Sequence, residues 1–558
     1  TAIGKSALTD NTTGTQNVGI GNFSLFDNTT ADNNTGIGYN TLASTTTGTQ
    51  NTAVGSIALD NNLTADNNTA VGYNTLGANT TGEKNTAIGS LALDANTSAS
   101  NNTAVGYVAL GGNTTGASNT AVGRNALESN STGSYNTAVG DGAMDDNNAD
   151  HNTACGNRAL ELNQSGTQNT AVGSRALEDN ISGNECTGVG YASLLVNTAS
   201  NNTGVGSFTL VNNTSGSNNT AVGKSALGAN TTGATNTAVG SNALDANTTA
   251  DYCTAVGSNA LTANTTGAEN SSLGMNTLTS NTTGEYNTAV GAGSLNANTT
   301  ASNNTAVGRH AMLSTTTGSS NVAVGTQALD SNTTGISNVA IGFNALSTSS
   351  TASYNTTVGR AAGRDTTTGT QNTCVGYFAG ANITTGTNNL LLGYQVGHAG
   401  TPGGVITTGS NNVVLGDNSI QNLFCADTTI SSSDSRDKTD IVDFNIGLKW
   451  IEALRPVTYR WDKRTWYGTE EEPYGTPDGS KKRIKKHIGF LAQEALEVEK
   501  ANGYGTSNDD SLICNLTDDG MSYGIKYERL VPILVNAIKE LSTKNNALET
   551  RVATLEAA

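Results

Sequence analysis

Apolar and polar residues follow one short pattern that recurs along most of the chain. Residues 236–244 read NTAVGSNAL, and residues 253–261 read CTAVGSNAL. The glycine that closes each NTAVG-like unit returns every 17 residues from Gly4 to Gly393, with two steps of 16, and a step of 23 leads to Gly416. This period is too short for helical-pair repeats and predicts a β-solenoid with one coil per repeat. With 25 such glycines and about 4.8 Å between stacked strands, the predicted shaft is about 120 Å long.

Within a repeat, the alternation of side chains along a strand assigns each position to a face. In NTAVG, Thr and Val fall on one face, and Asn and Ala fall on the other. The glycine permits a turn that β-branched residues could not make, and the following xxAL returns a second apolar pair to the core. Polar NxTTG segments supply the remaining turns. A single coil cannot bury both faces, so we expect neighbouring coils or other chains to complete the core.

The repeat also resembles known sequences. NTAVGxxAL is similar to the head repeat of trimeric autotransporter adhesins, whose motif is close to NSVAIGxxS, and to the repeat arrays of bacteriophage tail fibres. The adhesin repeat is usually shorter than the 17 residues found here. The resemblance implies a left-handed parallel β-roll made by three chains. The predicted fold is therefore mainly β, with a trimeric parallel β-roll or β-solenoid shaft followed by a small α+β domain that ends in a long coiled-coil helix.

Composition changes near residue 421. Of the 27 Lys and Arg residues, 9 precede residue 421 and 18 follow it, and all three Trp residues follow it too. We expect Trp450, Trp461 and Trp466 to pack the core of the small domain. The predicted organisation is a shaft over 1–420, a linker over 421–432 and an assembly domain over 433–558, with the coiled-coil helix over 528–558.

In the C-terminal helix, apolar residues are spaced by three and four residues in turn. They therefore form two columns, each with a period of seven. This a/d pattern predicts a coiled coil, or at least a helix shared among chains, and a polar Asn in the a column is typical of a register signal. The alternative is an amphipathic helix packed on its own domain. Identical repeats specify register weakly, so three such chains need a clamp. The predicted register residues are Val531, Leu534, Ile538, Leu541, Asn545, Leu548, Val552 and Leu555.

Four segments near the C-terminus resemble one family in the right order. They are SSSDSRDKTDI (431–441), ALRPVTYRW (453–461), HIGFLAQE (487–494) and YGIKYERLVPILVNAIKEL (523–541). They are similar to the peptidase S74 family, the intramolecular chaperone domain at the C-terminus of phage tailspikes, endosialidases and tail fibres. The resemblance implies a trimer whose assembly the domain starts.

The same resemblance implies self-cleavage between Ser432 and Ser433. Ser433 would attack the Ser432 carbonyl, with Lys438 as its base and with Asp434 and Arg436 in supporting roles. A Lys acts as a base only when burial or nearby positive charge lowers its pKa. Arg436 favours that change, whereas Asp437, which stands where the family usually has Leu, opposes it if it faces Lys438.

Several classes of function are disfavoured. A net charge of −18 argues against a nucleic-acid partner, and we interpret the basic run KKRIKKH (481–487) as an exposed hairpin tip. The sequence contains no run of 18 or more apolar residues, the length that a membrane-spanning helix needs. Six cysteines without CxxC spacing argue against zinc and against a disulfide framework, and we predict no metal and no cofactor. Any enzymatic activity is at most a single-turnover Ser–Lys self-cleavage.

Four cysteines stand in the repeat columns. Cys186 and Cys253 occupy the Asn column, and Cys155 and Cys374 occupy the Val and Ala columns. Cys is among the most often buried residue types, so we expect these to be buried free thiols.

The sequence favours a structural and adhesive homotrimeric fibre of a phage tail or a related injection particle. Its expected partners are two further copies, a host cell-surface receptor (a glycan or a protein) and a virion or baseplate bound through a part that precedes Thr1. It would lie on the virion or outside the cell, assembled in the host cytoplasm if phage. The alternative is a bacterial surface adhesin or extracellular filament with an uncleaved C-terminal tip. The irregular coil 140–156 and the insert HAGTPGG (398–404) are the places where we expect receptor contacts.

Overall fold

The computed structural model describes residues 1–420, 438–469, 472, 474–507, 509–516 and 522–557. The chain divides into two compact units, Thr1–Asn321 and Val322–Ala558. Both contain coils of a parallel β-solenoid, and the second also contains the C-terminal domain with a long final helix. The predicted mainly-β fold is confirmed in these features.

The first unit contains 19 short strands, one per coil, and each strand pairs in parallel with the next. They are β1 (Ala2–Ile3), β2 (Val18–Ile20), β3 (Thr35–Ile37), β4 (Thr52–Val54), β5 (Thr69–Val71), β6 (Thr86–Ile88), β7 (Thr103–Val105), β8 (Thr120–Val122), β9 (Thr137–Val139), β10 (Thr153–Cys155), β11 (Thr170–Val172), β12 (Thr187–Val189), β13 (Thr203–Val205), β14 (Thr220–Val222), β15 (Thr237–Val239), β16 (Thr254–Val256), β17 (Ser271–Leu273), β18 (Thr288–Val290) and β19 (Thr305–Val307).

The second unit begins with further coils and ends in an α+β region. Its solenoid strands are β20 (Val322–Val324), β21 (Val339–Ile341), β22 (Thr356–Val358), β23 (Thr373–Val375), β24 (Leu390–Leu392) and β25 (Val413–Leu415). The α+β region has two antiparallel strand pairs, β26 (Val457–Tyr459) with β27 (His487–Gly489), and β28 (Cys514–Leu516) with β29 (Tyr523–Ile525). Its helices are α1 (Leu448–Ala453), α2 (Ala492–Lys500) and α3 (Leu530–Glu556).

The strand register follows the sequence repeat. Thr52 and Val54 lie beside Thr69 and Val71 in the next coil. A coil of 16 residues keeps the same pairing, since Thr137 lies beside Thr153, and the 23-residue step places Leu390 beside Val413. Equivalent residues therefore stack in columns, and length changes between coils are absorbed outside the strands.

Each coil closes around a narrow core of its own. In the coil that contains β4, the buried side chains include Ala53, Ala58, Leu59 and two asparagines. Thr52 and Val54 point to the other face and stay partly exposed. The predicted division of NTAVG into an Asn/Ala face and a Thr/Val face is confirmed, and the Asn/Ala face is the inner one.

The buried asparagines form hydrogen-bonded ladders along the solenoid. Asn51 accepts the Asn68 backbone N–H at Oδ1 (2.9 Å) and donates from Nδ2 to the Ala65 carbonyl (2.8 Å). In the second column, Asn79 donates from Nδ2 to Asn62 Oδ1 (3.1 Å). Buried amides are costly unless they are hydrogen-bonded, and stacking in register supplies the partners.

The turn after each strand depends on its glycine. Gly55 has φ of +131°, and a Cβ added there would lie 2.2 Å from the Gly72 carbonyl oxygen of the next coil. The Cβ of any other residue would clash with backbone atoms of the next coil, and these atoms cannot avoid the clash by a change of rotamer. The glycine is therefore required both for its conformation and for the close approach of coils.

The cysteine predictions are confirmed at three positions and wrong at one. Cys186, Cys253 and Cys374 are buried, whereas Cys155 is exposed. The error arises because the Val column, in which Cys155 stands, points away from the coil interior. Burial raises the pKa of Cys253 to about 11 and that of Cys374 to about 12.

Candidate functional site

The first half of α3 docks on the core of the C-terminal domain. Leu530 and Ile533 are buried and pack in one cluster with Trp450, Leu454 and residues of α2 and β28. Ala537, one turn later, is also buried. This face of α3 packs on its own domain, as the alternative interpretation of the helix requires.

Polar contacts fix the angle at which α3 leaves the domain. Asn536 donates from Nδ2 to the carbonyl oxygens of Phe444 and Ile446, the latter at 3.3 Å. Glu540 accepts the backbone N–H of Leu448 at 3.3 Å. Leu448 is the first residue of α1, where N–H groups lack partners within the helix and a carboxylate is favourable.

The neighbouring face of α3, about 100° round the helix from the packed one, carries the predicted register residues. The seven apolar members are all exposed, from Leu534 at 43% to Leu555 at 70%. Asn545 donates from Nδ2 to Glu549 Oε1 at 2.7 Å within the same helix. The helix therefore has two apolar faces, one packed and one open.

The second half of α3 extends beyond the domain. Every described residue from Leu541 to Ala557 is exposed. Isolated helices of this length are marginal in water, and most helices in proteins are stabilised by the packing of an apolar face. The open apolar stripe is the face through which other chains could supply that packing.

A buried carboxylate that the sequence interpretation missed organises the domain behind α3. Glu499, at the end of α2, is 0% exposed. It accepts hydrogen bonds from the Ser511 hydroxyl (2.7 Å) and from the backbone N–H groups of Ile513 and Cys514. Burial and this carboxylate together raise the pKa of the Cys514 thiol to about 12. The sequence EVEK is typical of an exposed helix end, so only the tertiary structure shows that Glu499 is buried.

The predicted cleavage residues lie mostly outside the described residues. Ser432, Ser433, Asp434 and Arg436 all fall within 421–437, which the structure does not describe, and so does Asp437. Lys438 is described and its side chain is exposed. The serine–lysine pair remains a prediction.

The prediction that three tryptophans pack the core is correct for one of them. Trp450 is 1% exposed, whereas Trp461 is 43% exposed and Trp466 is half-buried. The last two lie on the long connection between β26 and β27, next to the basic run. That connection holds aromatic and cationic side chains together at the surface, and this explains the error.

Comparison with known proteins identifies a match to part of the C-terminal domain. Residues 433–504 match the peptidase S74 family model, described as chaperone of endosialidase. No curated protein matches the chain. The match begins at Ser433 and ends before α3, so the role of the helix rests on its geometry. A chaperone-of-endosialidase domain together with a β-solenoid suggests a trimeric fibre. Among the described residues, no helix is long and apolar enough to cross a membrane.

Proposed function

We propose that three identical chains form a fibre, and that the C-terminal domain of each aligns the three chains during assembly. The observation that carries this proposal is the open apolar stripe of α3. Val531 and Ile538, exposed by 57% and 67%, mark it at successive a positions. Three copies packed through the stripe would bury it and stabilise the exposed half of each helix.

Alignment is needed because the coils are nearly interchangeable. Within one chain, Thr52 lies beside Thr69 and Val54 beside Val71, so a chain that slides by one coil presents the same columns to its partners. Only the end coils lose partners, so the slid arrangement costs little. A clamp at one end, formed before the coils associate, removes this ambiguity.

We further propose that the domain cuts itself off before Ser433. The Lys438 amine takes the proton of the Ser433 hydroxyl, whose Oγ bonds to the Ser432 carbonyl carbon. The bond from this carbon to the Ser433 nitrogen then breaks, and the nitrogen takes the proton. Water hydrolyses the resulting ester and leaves a carboxylate on Ser432. Cleavage after folding would make disassembly kinetically difficult.

The setting that we propose is a phage tail fibre or the fibre of a related injection particle, with a cell-surface receptor. The match of 433–504 to a chaperone-of-endosialidase domain supports this choice. The alternative is a bacterial adhesin or extracellular filament that keeps its tip. Any sequence encoded upstream of Thr1 would discriminate the two, since a baseplate-binding domain favours the first and a secretion signal favours the second.

Intact-mass measurement of three chains tests the cleavage. We expect wild type to give a fragment of residues 433–558, and Ser433→Ala to stay whole. Ser431→Ala, a serine outside the proposed pair, serves as the matched control and should be cut like wild type. If wild type also stays whole after folding, the self-cleavage proposal is wrong.

Light scattering tests the assembly independently of cleavage. The Ser433→Ala chain should have three times the mass of a single chain of 56.6 kDa. A monomer under the same conditions would contradict the trimeric fibre, whether or not wild type is cut.

A further inference from the structure

A cavity of about 610 Å³ opens beside the connection between β26 and β27. Trp461, Lys463 and Trp466 form one side of it, and residues 480–485 form the other. Asn418, after the last solenoid strand of the second unit, also lines it. Its volume is within the range of sites for small ligands.

The lining is strongly cationic. Of the described residues around the cavity, six are basic and none is acidic; the basic ones are Lys463, Lys481, Lys482, Arg483, Lys485 and His487. Within the described part of the chain, none of these Lys and Arg residues forms an ion pair. Burial and the neighbouring Arg483 lower the pKa of Lys463, and Asp417 acts in the opposite direction. Among the residues that the structure describes, positive charge is thus concentrated in the lining of this cavity, in a chain whose net charge is −18.

Two indole rings lie among these cations. The Lys463 ammonium is 4.9 Å from the Trp461 ring centroid and 6.0 Å from that of Trp466. The Arg483 guanidinium is 4.9 Å from the Trp466 centroid. Cation–π attraction of this kind positions both partners. Both rings also stay partly exposed beside the positive charges.

Hydrogen bonds from backbone and side chains hold the residues around the cavity together. The Arg483 N–H donates to the Trp461 carbonyl at 2.8 Å, and the Lys481 ammonium donates to the Trp466 carbonyl. Lys463 donates to Asn418 Oδ1 at 3.3 Å. The cationic and aromatic groups are therefore arranged before any ligand arrives.

We propose that this cavity binds an acidic carbohydrate, a short oligosaccharide that carries carboxylate or sulfate groups. The C–H faces of a sugar ring are apolar and pack on Trp461 or Trp466, while its acidic groups form charge-assisted hydrogen bonds with Lys463 and Arg483. A long nucleic acid fits less well for two reasons. The basic groups are confined to one cavity, and the remaining surface of this acidic protein would repel a polyanion.

A second cavity gives the ligand room to continue. It has a volume of about 550 Å³ and shares Asn418, Trp461 and Lys463 with the first. Thr401, Pro402 and Gly403 line it as well. These residues belong to the HAGTPGG insert, where the sequence predicts receptor contacts. A glycan longer than the first cavity would reach this insert.

The site stands apart from the proposed trimer and from the cleavage. It involves no residue of the α3 stripe and no residue of the Ser–Lys pair. The test uses the full Ser433→Ala chain, so that the domain stays attached whatever the wild type does. Failure of binding would leave the mass and light-scattering results unaffected.

The experiment measures binding of three acidic probes and their neutral counterparts. Trigalacturonic acid, sialyllactose and a sulfated chondroitin disaccharide are compared with maltotriose and lactose by calorimetry at low salt. We expect at least one acidic probe to bind about tenfold or more tightly than either neutral sugar. The double substitution Lys463→Gln and Arg483→Gln should weaken that binding about tenfold or more, and Trp466→Leu should weaken it too. Lys449→Gln, at an exposed lysine on α1, is the matched control and should bind like the parent chain.

Four results of the saccharide and oligonucleotide titrations would overturn the proposal. They are no binding of any acidic probe, equal binding of acidic and neutral sugars, binding that the double variant retains while circular dichroism shows it folded, and tighter binding of a single-stranded oligothymidine than of every saccharide. The last result would assign the cavity to nucleic acid. Tripolyphosphate binding that equals the best saccharide and ignores Trp466→Leu would reduce the cavity to a charged patch, which also contradicts the proposal.

Discussion

Each asparagine in the Asn column of NTAVG can take part in three hydrogen bonds. Asn236 accepts the backbone N–H of residue 253 at 2.8 Å and donates from Nδ2 to the Ala250 carbonyl at 2.8 Å, and its own N–H reaches Asn219 Oδ1 at 2.9 Å. At position 253 the side chain is a thiol, which donates to the Gly267 carbonyl at 3.3 Å. Sulfur is a weak donor and a weak acceptor, so this rung of the ladder is weaker.

We predict that Cys253→Asn stabilises the chain. The amide would accept the Asn270 N–H and donate to the Gly267 carbonyl, as its counterparts do in neighbouring coils. The expected gain is about 1 kcal/mol, the typical net value of a buried hydrogen bond, and thermal unfolding followed by circular dichroism measures it. Cys155→Asn, at an exposed cysteine, should leave the melting temperature nearly unchanged. A lower melting temperature for Cys253→Asn would show that the column has no room for the amide.

The buried thiols should also be chemically inert. The pKa of Cys253 is raised to about 11 and that of Cys374 to about 12, in both cases by burial. Both thiols therefore stay protonated at pH 8, and the protonated form is a poor nucleophile. We predict that iodoacetamide at pH 8 alkylates the exposed Cys155 in the native chain and spares Cys253 and Cys374, as peptide mass spectrometry can measure. All of them should react in denaturant. Rapid labelling of Cys374 in the native chain would contradict its burial.

At the scale of elements, α3 has one apolar face that is packed in the domain and another that is open. Ile533 is 1% exposed in the domain core, whereas Ile538 is 67% exposed on the stripe. A charge at Ile533 would disrupt the core of the domain. A charge at Ile538 would disrupt the proposed contact between chains. The domain fold depends on Ile533, and the proposed association depends on Ile538.

We therefore predict that Ile538→Asp gives a folded monomer. The substituted side chain lies on the open stripe, so the domain keeps its core, while three carboxylates cannot meet at one a position. Light scattering on the Ser433→Ala background reports the mass, and circular dichroism reports the fold. Thr543→Asp, exposed but off the stripe, should remain trimeric, and Ile533→Asp should unfold the domain. A trimeric Ile538→Asp chain would show that α3 does not hold the chains together.

The sequence predicts these elements unevenly, for physical reasons. Coils and the α3 stripe are found because their periods of 17 and seven are written into residue order. Glu499 is missed because its burial arises from Ser511 and Ile513, which fold over it from another segment. The exposure of Trp461 is missed because aromatic residues usually pack a core, and only the fold shows the cations of the basic run around this ring.

At the scale of the whole molecule, stability is carried by contacts between neighbouring coils. Each described coil pairs its strand with the equivalent strand next to it, as β14 does with β15. Energies in such repeat proteins are close to a sum of coil and interface terms. Removal of one whole coil should therefore leave the remaining interfaces intact.

We predict that a chain without residues 224–240, one complete coil, folds and melts within a few degrees of the parent. A chain without residues 224–231 should be strongly destabilised, because the shift places turn residues at strand positions and leaves buried asparagines without partners. Circular dichroism during thermal unfolding compares the two. If the two deletions cost the same, the coil is not the unit of stability.

The narrow interior has a consequence for how such a protein can diversify. Inside, successive coils repeat the same small alanines, as at Ala53, Ala70 and Ala87, all fully enclosed. Outside, the position after each glycine changes freely and reads Tyr39, Ser56, Tyr73, Ser90, Tyr107 and Arg124 in consecutive coils. A substitution in these outer positions changes the chemistry of the surface and leaves the buried core untouched. The outer surface can therefore be altered one residue at a time, whereas the enclosed alanine column has no space for a larger side chain.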